Sequence, residues 1–230
     1  MEKNQFKLCL EILRRFQKAG ILSDCILIGS WCMYFYKEYF SNIPYAGHAT
    51  IKTRDIDFLI ENPRKIKKKV DIPELLKDLG FVSIFKGSKG YLKLDHPDII
   101  LEFLVPEKGR GTNKPYPLPQ LGMNAVTLRF LSFLSENVIK VKVDDFSLTL
   151  PHPANFALHK LIISKRRLRE EKAIKDKNAA ISILTALIRK GETKTIQKIF
   201  TSTPTKWQKR ITDNLKTYNE RKILDILVQK

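Results

Sequence analysis

Three carboxylates stand in stretches of sequence that otherwise have the pattern of buried strands. Asp55 and Asp57 lie two residues apart in TRDIDFLI, so on an extended strand they share one face and repel each other. Glu102 lies in DIILEFLVP, where apolar neighbours make an isolated charge costly. If the two strands are neighbours, the three acids converge, and divalent cations would relieve the repulsion. Two Mg²⁺ ions held by carboxylates and substrate phosphates could stabilise the attacking and leaving oxygens of a phosphoryl displacement.

A second candidate element is the pair Gly29 and Ser30, which ends the apolar stretch CILIGS and precedes a predicted helix. Glycine lets backbone amides approach a phosphate, and a helix N-terminus attracts anions. Taken alone, Gly-Ser is also typical of a turn with a helix cap, and Asp-x-Asp also occurs as a solvent-facing pair. The combination of Gly-Ser, Asp-x-Asp and an acid inside a later strand is much more specific.

The elements that must position these residues belong to an α+β chain, in which a mixed sheet with flanking helices precedes a C-terminal helical region. Hydrophobic periodicity predicts domains at 1–150 and 151–230. Pro106–Gly122, with four prolines and three glycines, is predicted to be an irregular substrate loop. Helices are predicted at 4–18, 31–40, 73–79, 153–165, 170–189, 204–217 and 219–228, and strands at 25–30, 53–60, 81–85, 90–95 and 98–105, with a hairpin in NVIKVKV and FSLTLP.

Composition limits the classes of protein and partner. Lys and Arg number 42 against 24 Asp and Glu, which gives a formal charge of +18, and residues 151–230 hold most of that excess. A basic surface favours a polyanionic partner, nucleic acid first, although a lysine-rich proteome gives the same balance. No apolar run is long enough for a membrane helix and the N-terminus has no signal-peptide pattern. The cysteines, Cys9, Cys25 and Cys32, have no metal spacing, so reduced thiols in a cytoplasmic protein are expected.

The stretches IGSWC, TRDIDFLI and ILEFLVP together resemble the signature of the polymerase-beta-like nucleotidyltransferase superfamily. The resemblance implies a mixed sheet with helices, usually followed by a helical region that helps to hold the nucleotide. It implies a nucleoside triphosphate substrate with two Mg²⁺ ions at Asp55, Asp57 and Glu102. The interval from Ser30 to Asp55 is longer than in the shortest members of the superfamily.

Two further stretches, LPQLGMNAVTLRFLSFL and PHPANFALHKLIISKRRLREEKAIKDKNAA, are similar to a bacterial branch related to abortive-infection and toxin nucleotidyltransferases. In that branch a helix carries a lysine, and an Arg-rich turn leads to a Lys-Asp pair. The matching residues here are Lys160, Arg166 with Arg167, and Lys175 with Asp176. The resemblance covers residues 22–190 and implies nucleotide binding by Lys160, Arg167 and Asp176.

Independently of the resemblance, helical spacing relates Lys160, Ser164 and Arg167. One face of that helix would present two cations and a hydroxyl to a triphosphate. The alternative is a snorkelling lysine on a solvated basic face. Asp176 would by default be an exposed helix residue in a surface ion pair. His159 is expected to be a packing or surface residue.

The leading hypothesis is therefore a Mg²⁺-dependent transfer of a nucleoside monophosphate to a hydroxyl. Glu102 would complete the site of the metal that activates that hydroxyl, and Gly29 and Ser30 would hold the terminal phosphates. The basic helical part favours RNA, such as a transfer RNA end, as acceptor, and toxin-type relatives suggest an antitoxin partner. A protein hydroxyl or an aminoglycoside stays open as acceptor. Two rival classes are a non-catalytic nucleic-acid-binding protein of a defence module and a metal-dependent nuclease.

Overall fold

The structure of the chain is a computed structural model that describes residues 3–45, 53–109 and 114–229. The strands described are β1 (Ile26–Ile28), β2 (Asp55–Leu59), β3 (Val82–Lys86), β4 (Tyr91–Asp95), β5 (Ile100–Pro106), β6 (Tyr116–Leu118), β7 (Met123–Leu128), β8 (Val138–Val143) and β9 (Phe146–Pro151). The helices described are α1 (Lys3–Lys18), α2 (Trp31–Tyr39), α3 (Ile72–Leu76), α4 (Ser132–Ser135), α5 (Pro153–Ser164), α6 (Glu170–Arg189), α7 (Thr193–Ser202), α8 (Thr205–Thr217) and α9 (Arg221–Val228). This order confirms the predicted α+β class with a C-terminal helical region.

Two compact units divide the chain. One comprises Met1–Tyr34 with Ala49–Pro151, and the other comprises Phe35–His48 with His152–Lys230. The sequence-based division at residue 150 is a single cut, whereas the division seen in the contacts also falls within α2 and groups Phe35–His48 with the helical unit. The assignment of catalysis to the first part and substrate binding to the second stays a prediction.

A mixed sheet forms the centre of the first unit. Its strand order is β1-β2-β5-β4-β3, and β7 continues from β5 and carries β6 beside it. β2 and β5 are parallel, whereas β1 and β4 run antiparallel to their neighbours. β5 is bordered on one side by β4 near its start and by β7 near its end. The strands that carry the predicted acids, β2 and β5, are therefore the central pair of the sheet.

Helix α1 covers one face of this central pair. The amphipathic pattern of α1 places Phe16 on its buried side, and the Phe16 ring lies 5.2 Å from that of Phe58 in β2 and 6.3 Å from that of Phe103 in β5. All three rings are buried. Because side chains alternate along a strand, residues next to Phe58 and Phe103 point to the opposite face. The aromatic packing thus leaves the acids on the face away from α1.

The helical unit is built around α5, whose residues are almost all buried. The N-terminus of α5 is capped by His152, whose Nδ1 accepts a hydrogen bond from the amide of Ala154 at 3.2 Å. Helix α6 packs along α5, and α8 contacts α5 as well. An apolar helix surrounded in this way is the centre of its own small core.

The predicted helices at 4–18, 31–40, 153–165, 170–189, 204–217 and 219–228 are confirmed within one or two residues at each end. The helix that begins near Pro73 is confirmed, but after Leu76 it tightens to a 3₁₀ turn at Lys77–Leu79 before Gly80. The sequence analysis did not predict α4, α7 or β7.

The prediction that Pro106–Gly122 has no regular structure is wrong in part. This stretch contains β6 and a 3₁₀ helix at Pro119–Leu121, while residues 110–113 lie outside the described residues. Pro117 fits in β6 because that strand pairs only with β7 and lies at an edge, where a missing N–H leaves no partner unsatisfied. The sequence also predicts a loop in SNIPYAGHATIK, residues 41–52, which falls largely on residues that the structure does not describe.

Within the described residues, no helix is long and apolar enough to cross a membrane. The three cysteines are buried free thiols, in agreement with the expected reduced state.

The buried packing of Phe58 predicts that replacing two phenylalanines of the same sheet by alanine lowers stability by very different amounts. Phe58→Ala should lower the free energy of unfolding by about 3–5 kcal/mol, because it leaves a cavity between Phe16 and Phe103. Phe85→Ala on β3 is the matched control, since this ring is 73% exposed, and should change stability by less than about 0.5 kcal/mol. Denaturant titration of both variants measures the difference. Similar losses in the two variants would contradict the packing described.

Candidate active site

The register of β2 on β5 brings the predicted acids together. Asp57 pairs with Glu102 across the parallel ladder, and Asp55 lies two residues earlier on β2, paired with Ile100. Paired residues of neighbouring strands point to the same face, so the three carboxylates share one face of the sheet. All three residues are half-buried, while the residues between them point into the core. Asp55, Asp57 and Glu102 thus lie on one face of the sheet.

The turn at Gly29 lies directly against Asp57. Ile28, the last residue of β1, pairs with Asp57, and the chain then turns at Gly29 with φ +75° before α2 begins. A Cβ atom built on Gly29 would collide with Oδ2 of Asp57 and would lie 3.3 Å from its Cγ. Glycine is therefore required here both by the backbone conformation and by the close approach of the carboxylate.

Ser30 follows at the start of the helix. Its carbonyl accepts a hydrogen bond from the amide of Met33 at 3.1 Å, so Ser30 belongs to the first turn that leads into α2. The residue is half-buried. The structure thus places the Gly-Ser pair between a strand end and a helix N-terminus in the first unit, beside one of the two aspartates.

A lysine that the sequence analysis did not select completes this group. Lys93 lies on β4 opposite Glu102 in the register, and its ammonium forms an ion pair with the Glu102 carboxylate. The side chains of Lys93 and Glu102 are only 9% and 16% exposed. Burial lowers the pKa of Lys93 and the charge of Lys86 lowers it further, while Asp55 and Asp57 raise it. The signal in the sequence was a lone lysine between Leu92 and Leu94 in a predicted strand, but its partner depends on a pairing between strands.

The donor set fits a divalent cation by its chemistry. Carboxylate oxygens are the protein ligands that Mg²⁺ prefers, and Asp55 and Asp57 present them from one face of one strand. Glu102 stands beside Asp57 but its charge is compensated by Lys93. Among the described residues, no group of three or more His, Cys, Asp or Glu side chains is arranged as a metal site. A metal-binding role for Asp55, Asp57 and Glu102 therefore stays a prediction.

The helical unit contains a separate charged cluster. Asp176 on α6 accepts hydrogen bonds from Nζ of Lys160 at 2.6 Å and from Nε of Arg167 at 2.7 Å. The Asp176 side chain is only 5% exposed, so the default expectation of an exposed helix residue is wrong. Burial by itself raises the pKa of the Asp176 carboxyl, but Lys160 and Arg167 outweigh burial and hold that pKa below its ordinary value.

Two details of this cluster differ from the predicted helix face. Helix α5 ends at Ser164, so Arg167 lies in the turn that follows rather than on the same helix as Lys160. The Ser164 hydroxyl is buried and accepts hydrogen bonds from Asn214 and Tyr218, so it belongs to the packing of α5 against α8. His159 is a buried packing residue, as expected, and burial followed by the charge of Lys160 lowers its pKa to about 3.

Comparison with known proteins decides the family. A family model described as nucleotidyltransferase matches residues 7–201. The chain belongs to the nucleotidyltransferase family. This nucleotidyltransferase is therefore an enzyme of class EC 2.7.7. Members of the family typically use a nucleoside triphosphate and Mg²⁺. No curated protein matches the sequence.

One solved structure shows the fold, and a second is reported as a weaker match. An antigenic nucleotidyltransferase-like protein from Paracoccidioides brasiliensis superimposes with a TM-score of 0.53 at 14% identity, over 100% of this chain and 96% of that chain. The antibiotic-resistance factor ANT(2'')-Ia matches with a TM-score of 0.46 at 12% identity, over 96% of this chain and 95% of that chain. The resemblance to the superfamily is confirmed for the family and its fold, and the bacterial toxin-related branch stays a prediction.

The contact between Gly29 and Asp57 predicts that adding a side chain at position 29 destabilises the nucleotidyltransferase. Gly29→Ala should lower the free energy of unfolding by more than about 2 kcal/mol, because the new Cβ adds a steric collision to the strain of a positive φ. Gly90→Ala is the matched control, since Gly90 has φ +73° and nothing within 4 Å of its Cβ position, and should cost only about 1 kcal/mol. Denaturant titration compares the two variants, and equal losses would argue against the close approach of Gly29 to Asp57.

The Asp176 cluster predicts a pH-dependent contribution to stability. Asp176→Asn should destabilise the nucleotidyltransferase by about 3–5 kcal/mol at pH 7, because Lys160 and Arg167 lose the carboxylate that pairs them. Since the folded-state pKa of Asp176 is lowered, its contribution is present above about pH 4 and is lost as the pH falls through the folded pKa. Unfolding curves should therefore converge for wild type and variant in acid.

Asp213→Asn, at an exposed position of α8, is the control and should stay within about 0.5 kcal/mol of wild type. A difference between wild type and Asp176→Asn that grows as the pH falls would contradict the ion pairs described.

Proposed function

We propose that this nucleotidyltransferase moves a nucleoside monophosphate from a nucleoside triphosphate to a hydroxyl of RNA, with a transfer RNA end as the first candidate. The observation that best supports this active site is the close contact of Gly29 with Asp57, with Asp55 and Glu102 on the same face of the sheet. This arrangement sets a glycine turn before a helix, which suits phosphates, beside paired carboxylates, which suit divalent cations.

Asp55 and Asp57 are proposed to hold two Mg²⁺ ions, and Glu102 to complete the site nearest the acceptor hydroxyl. Bound Mg²⁺ would compensate the charge of the triphosphate and make the hydroxyl more acidic. Glu102 is also the candidate to accept the hydroxyl proton. Gly29 and Ser30 are proposed to hold the terminal phosphates through backbone amides. Their contribution is to orient the α-phosphorus for in-line attack by the acceptor oxygen, with the bond to the α–β bridging oxygen broken and pyrophosphate as the leaving group. Catalysis thus rests on positioning and charge compensation.

Lys160, Arg167 and Asp176 stay the nucleotide-binding candidates of the helical unit. The single Asp176 carboxylate pairs with two cations, so this cluster keeps an excess of one positive charge. A phosphate group would compete with Asp176 for the same N–H donors. Asp176 then fixes Lys160 and Arg167 in place before the nucleotide arrives, which lowers the entropic cost of binding.

RNA is the proposed acceptor because the helical part carries most of the positive charge. Residues 151–230 contain 19 Lys and Arg against 7 Asp and Glu. Such an excess attracts a polyanion at sites that neutralise several phosphates. A toxin-type role with an antitoxin partner in the cytoplasm belongs to the same proposal, since it rests on the resemblance of Lys160, Arg167 and Asp176 to the bacterial branch. A protein hydroxyl or a small molecule are the other acceptors that an assay distinguishes.

The test is transfer of a labelled nucleotide. Wild-type protein is incubated with each α-labelled nucleoside triphosphate, Mg²⁺ and total RNA, and RNA length is followed on a denaturing gel. Labelled, lengthened RNA is expected from wild type. Asp57→Asn should lose at least about 100-fold in rate while it keeps the fold, because the carboxylate that holds the ions is removed.

Asp144→Asn is the matched control, since Asp144 is exposed in the β8–β9 turn at φ +49°, a conformation that asparagine also adopts. Its transfer rate should equal that of wild type. Shortened RNA would indicate a nuclease, and unchanged RNA would reject RNA as the acceptor. Undiminished Mg²⁺-dependent transfer by Asp57→Asn would refute the site.

A further inference from the structure

A row of side chains crosses four strands of the sheet on the acid face. Ile84 of β3 pairs with Lys93 of β4, Lys93 lies opposite Glu102 of β5, and Glu102 pairs with Asp57 of β2. Lys93 therefore stands in the same row as the proposed metal ligands and is separated from Asp57 by one strand. Its position is set by backbone pairing and does not depend on a flexible loop.

The pair of Lys93 and Glu102 is enclosed. The two side chains are 9% and 16% exposed, and their charged ends are in direct contact. A lysine ammonium is costly to bury unless a carboxylate compensates it, and the same holds for Glu102. Each group thus supports the burial of the other, and separating them requires a replacement partner for both.

Lys93 changes the charge that the site offers to metal ions. Asp55, Asp57 and Glu102 carry three negative charges and Lys93 one positive charge, so these four residues together have a net charge of −2. This charge matches one divalent cation, whereas the proposed reaction uses two. The triphosphate brings the additional negative charge that a second ion needs, and its oxygens offer the Lys93 ammonium another partner.

We propose that Lys93 is a positioning residue that couples uptake of the second divalent ion to nucleotide binding, a proposal that rests on the proposed function. Without nucleotide, Lys93 keeps Glu102 occupied, and one ion binds at Asp55 and Asp57. With nucleotide bound, the ammonium passes from Glu102 to phosphate oxygens, and Glu102 becomes a metal ligand. The pair thereby keeps the complete metal site from forming before the substrate is present.

The test uses Mn²⁺ alone, with free Mn²⁺ followed by electron paramagnetic resonance and no nucleotide present. Wild type should bind one ion. Glu102→Gln should still bind one ion but more weakly than wild type, because the net charge of the four residues falls from −2 to −1. Lys93→Met should bind Mn²⁺ at least about tenfold more tightly or take up a second ion, because Glu102 becomes available.

Two variants separate this effect from a general change in charge. In Lys93→Met with Glu102→Gln the affinity should return to within about twofold of wild type, since the freed carboxylate is gone. Lys89→Met removes an exposed cation of the turn between β3 and β4 and should change Mn²⁺ affinity by less than about twofold.

The proposal is overturned if Lys93→Met and wild type give the same isotherm, or if Lys93→Met with Glu102→Gln keeps the tighter binding of Lys93→Met. Should Lys93→Met fail to fold, Lys93→Gln takes its place, because glutamine keeps an N–H donor for Glu102 without the charge; it should bind Mn²⁺ more tightly than wild type, and an unchanged isotherm overturns the proposal. Asp57→Asn separates the two proposals. If it keeps both transfer and Mn²⁺ binding, the proposed function fails. If it loses both while the Lys93 and Glu102 variants miss their expected values, only the role of Lys93 fails.

Discussion

Like charges on one face of a sheet have to be compensated, and in this protein the strand register determines which groups are available to do so. The pairing of β2 with β5 sets Glu102 beside Asp57, that of β1 with β2 sets Gly29 against Asp57, and that of β4 with β5 sets Lys93 on Glu102. A slip of one residue in any of these pairs would turn a member of the group to the other face. The aromatic core under α1 opposes such a slip, because the slip would turn the acids toward α1 and into that core. The site and the core are therefore two consequences of one register.

Each unit contains a charged cluster, and the two clusters, each taken by itself, have opposite electrostatic character. In the sheet, the carboxylates of Asp55, Asp57 and Glu102 share one face with the ammonium of Lys93, so these four residues have a net negative charge that attracts metal ions. In the helical unit, Lys160 and Arg167 share the single carboxylate of Asp176, so that cluster attracts anions. Both clusters use a buried ion pair to hold a charged side chain in a defined place, which an exposed pair would not do. A metal-dependent enzyme that handles a triphosphate needs both kinds of site.

The sequence predicted the features that depend on local patterns. Apolar periodicity located α1, α5, α6 and the strands that carry the acids, and the alternation in TRDIDFLI placed Asp55 and Asp57 on one face. The sequence did not predict the features that depend on contacts between residues far apart in the chain. Nothing near Lys93 indicates that it contacts Glu102, because that contact follows from the pairing of β4 with β5. The burial of Asp176 depends in the same way on the packing of α6 against α5, and Pro117 was misread because a proline is compatible with a strand only at an edge.

The central claim is that Asp55 and Asp57, fixed by β2 beside the Gly29 turn, form the metal site of this nucleotidyltransferase. The most direct measurement is an anomalous difference map from crystals grown with Mn²⁺ and a non-hydrolysable nucleoside triphosphate. We predict a Mn²⁺ peak coordinated by carboxylate oxygens of Asp55 and Asp57, with the terminal phosphates at Gly29 and Ser30. A bound nucleotide whose Mn²⁺ ions touch neither aspartate would contradict the account.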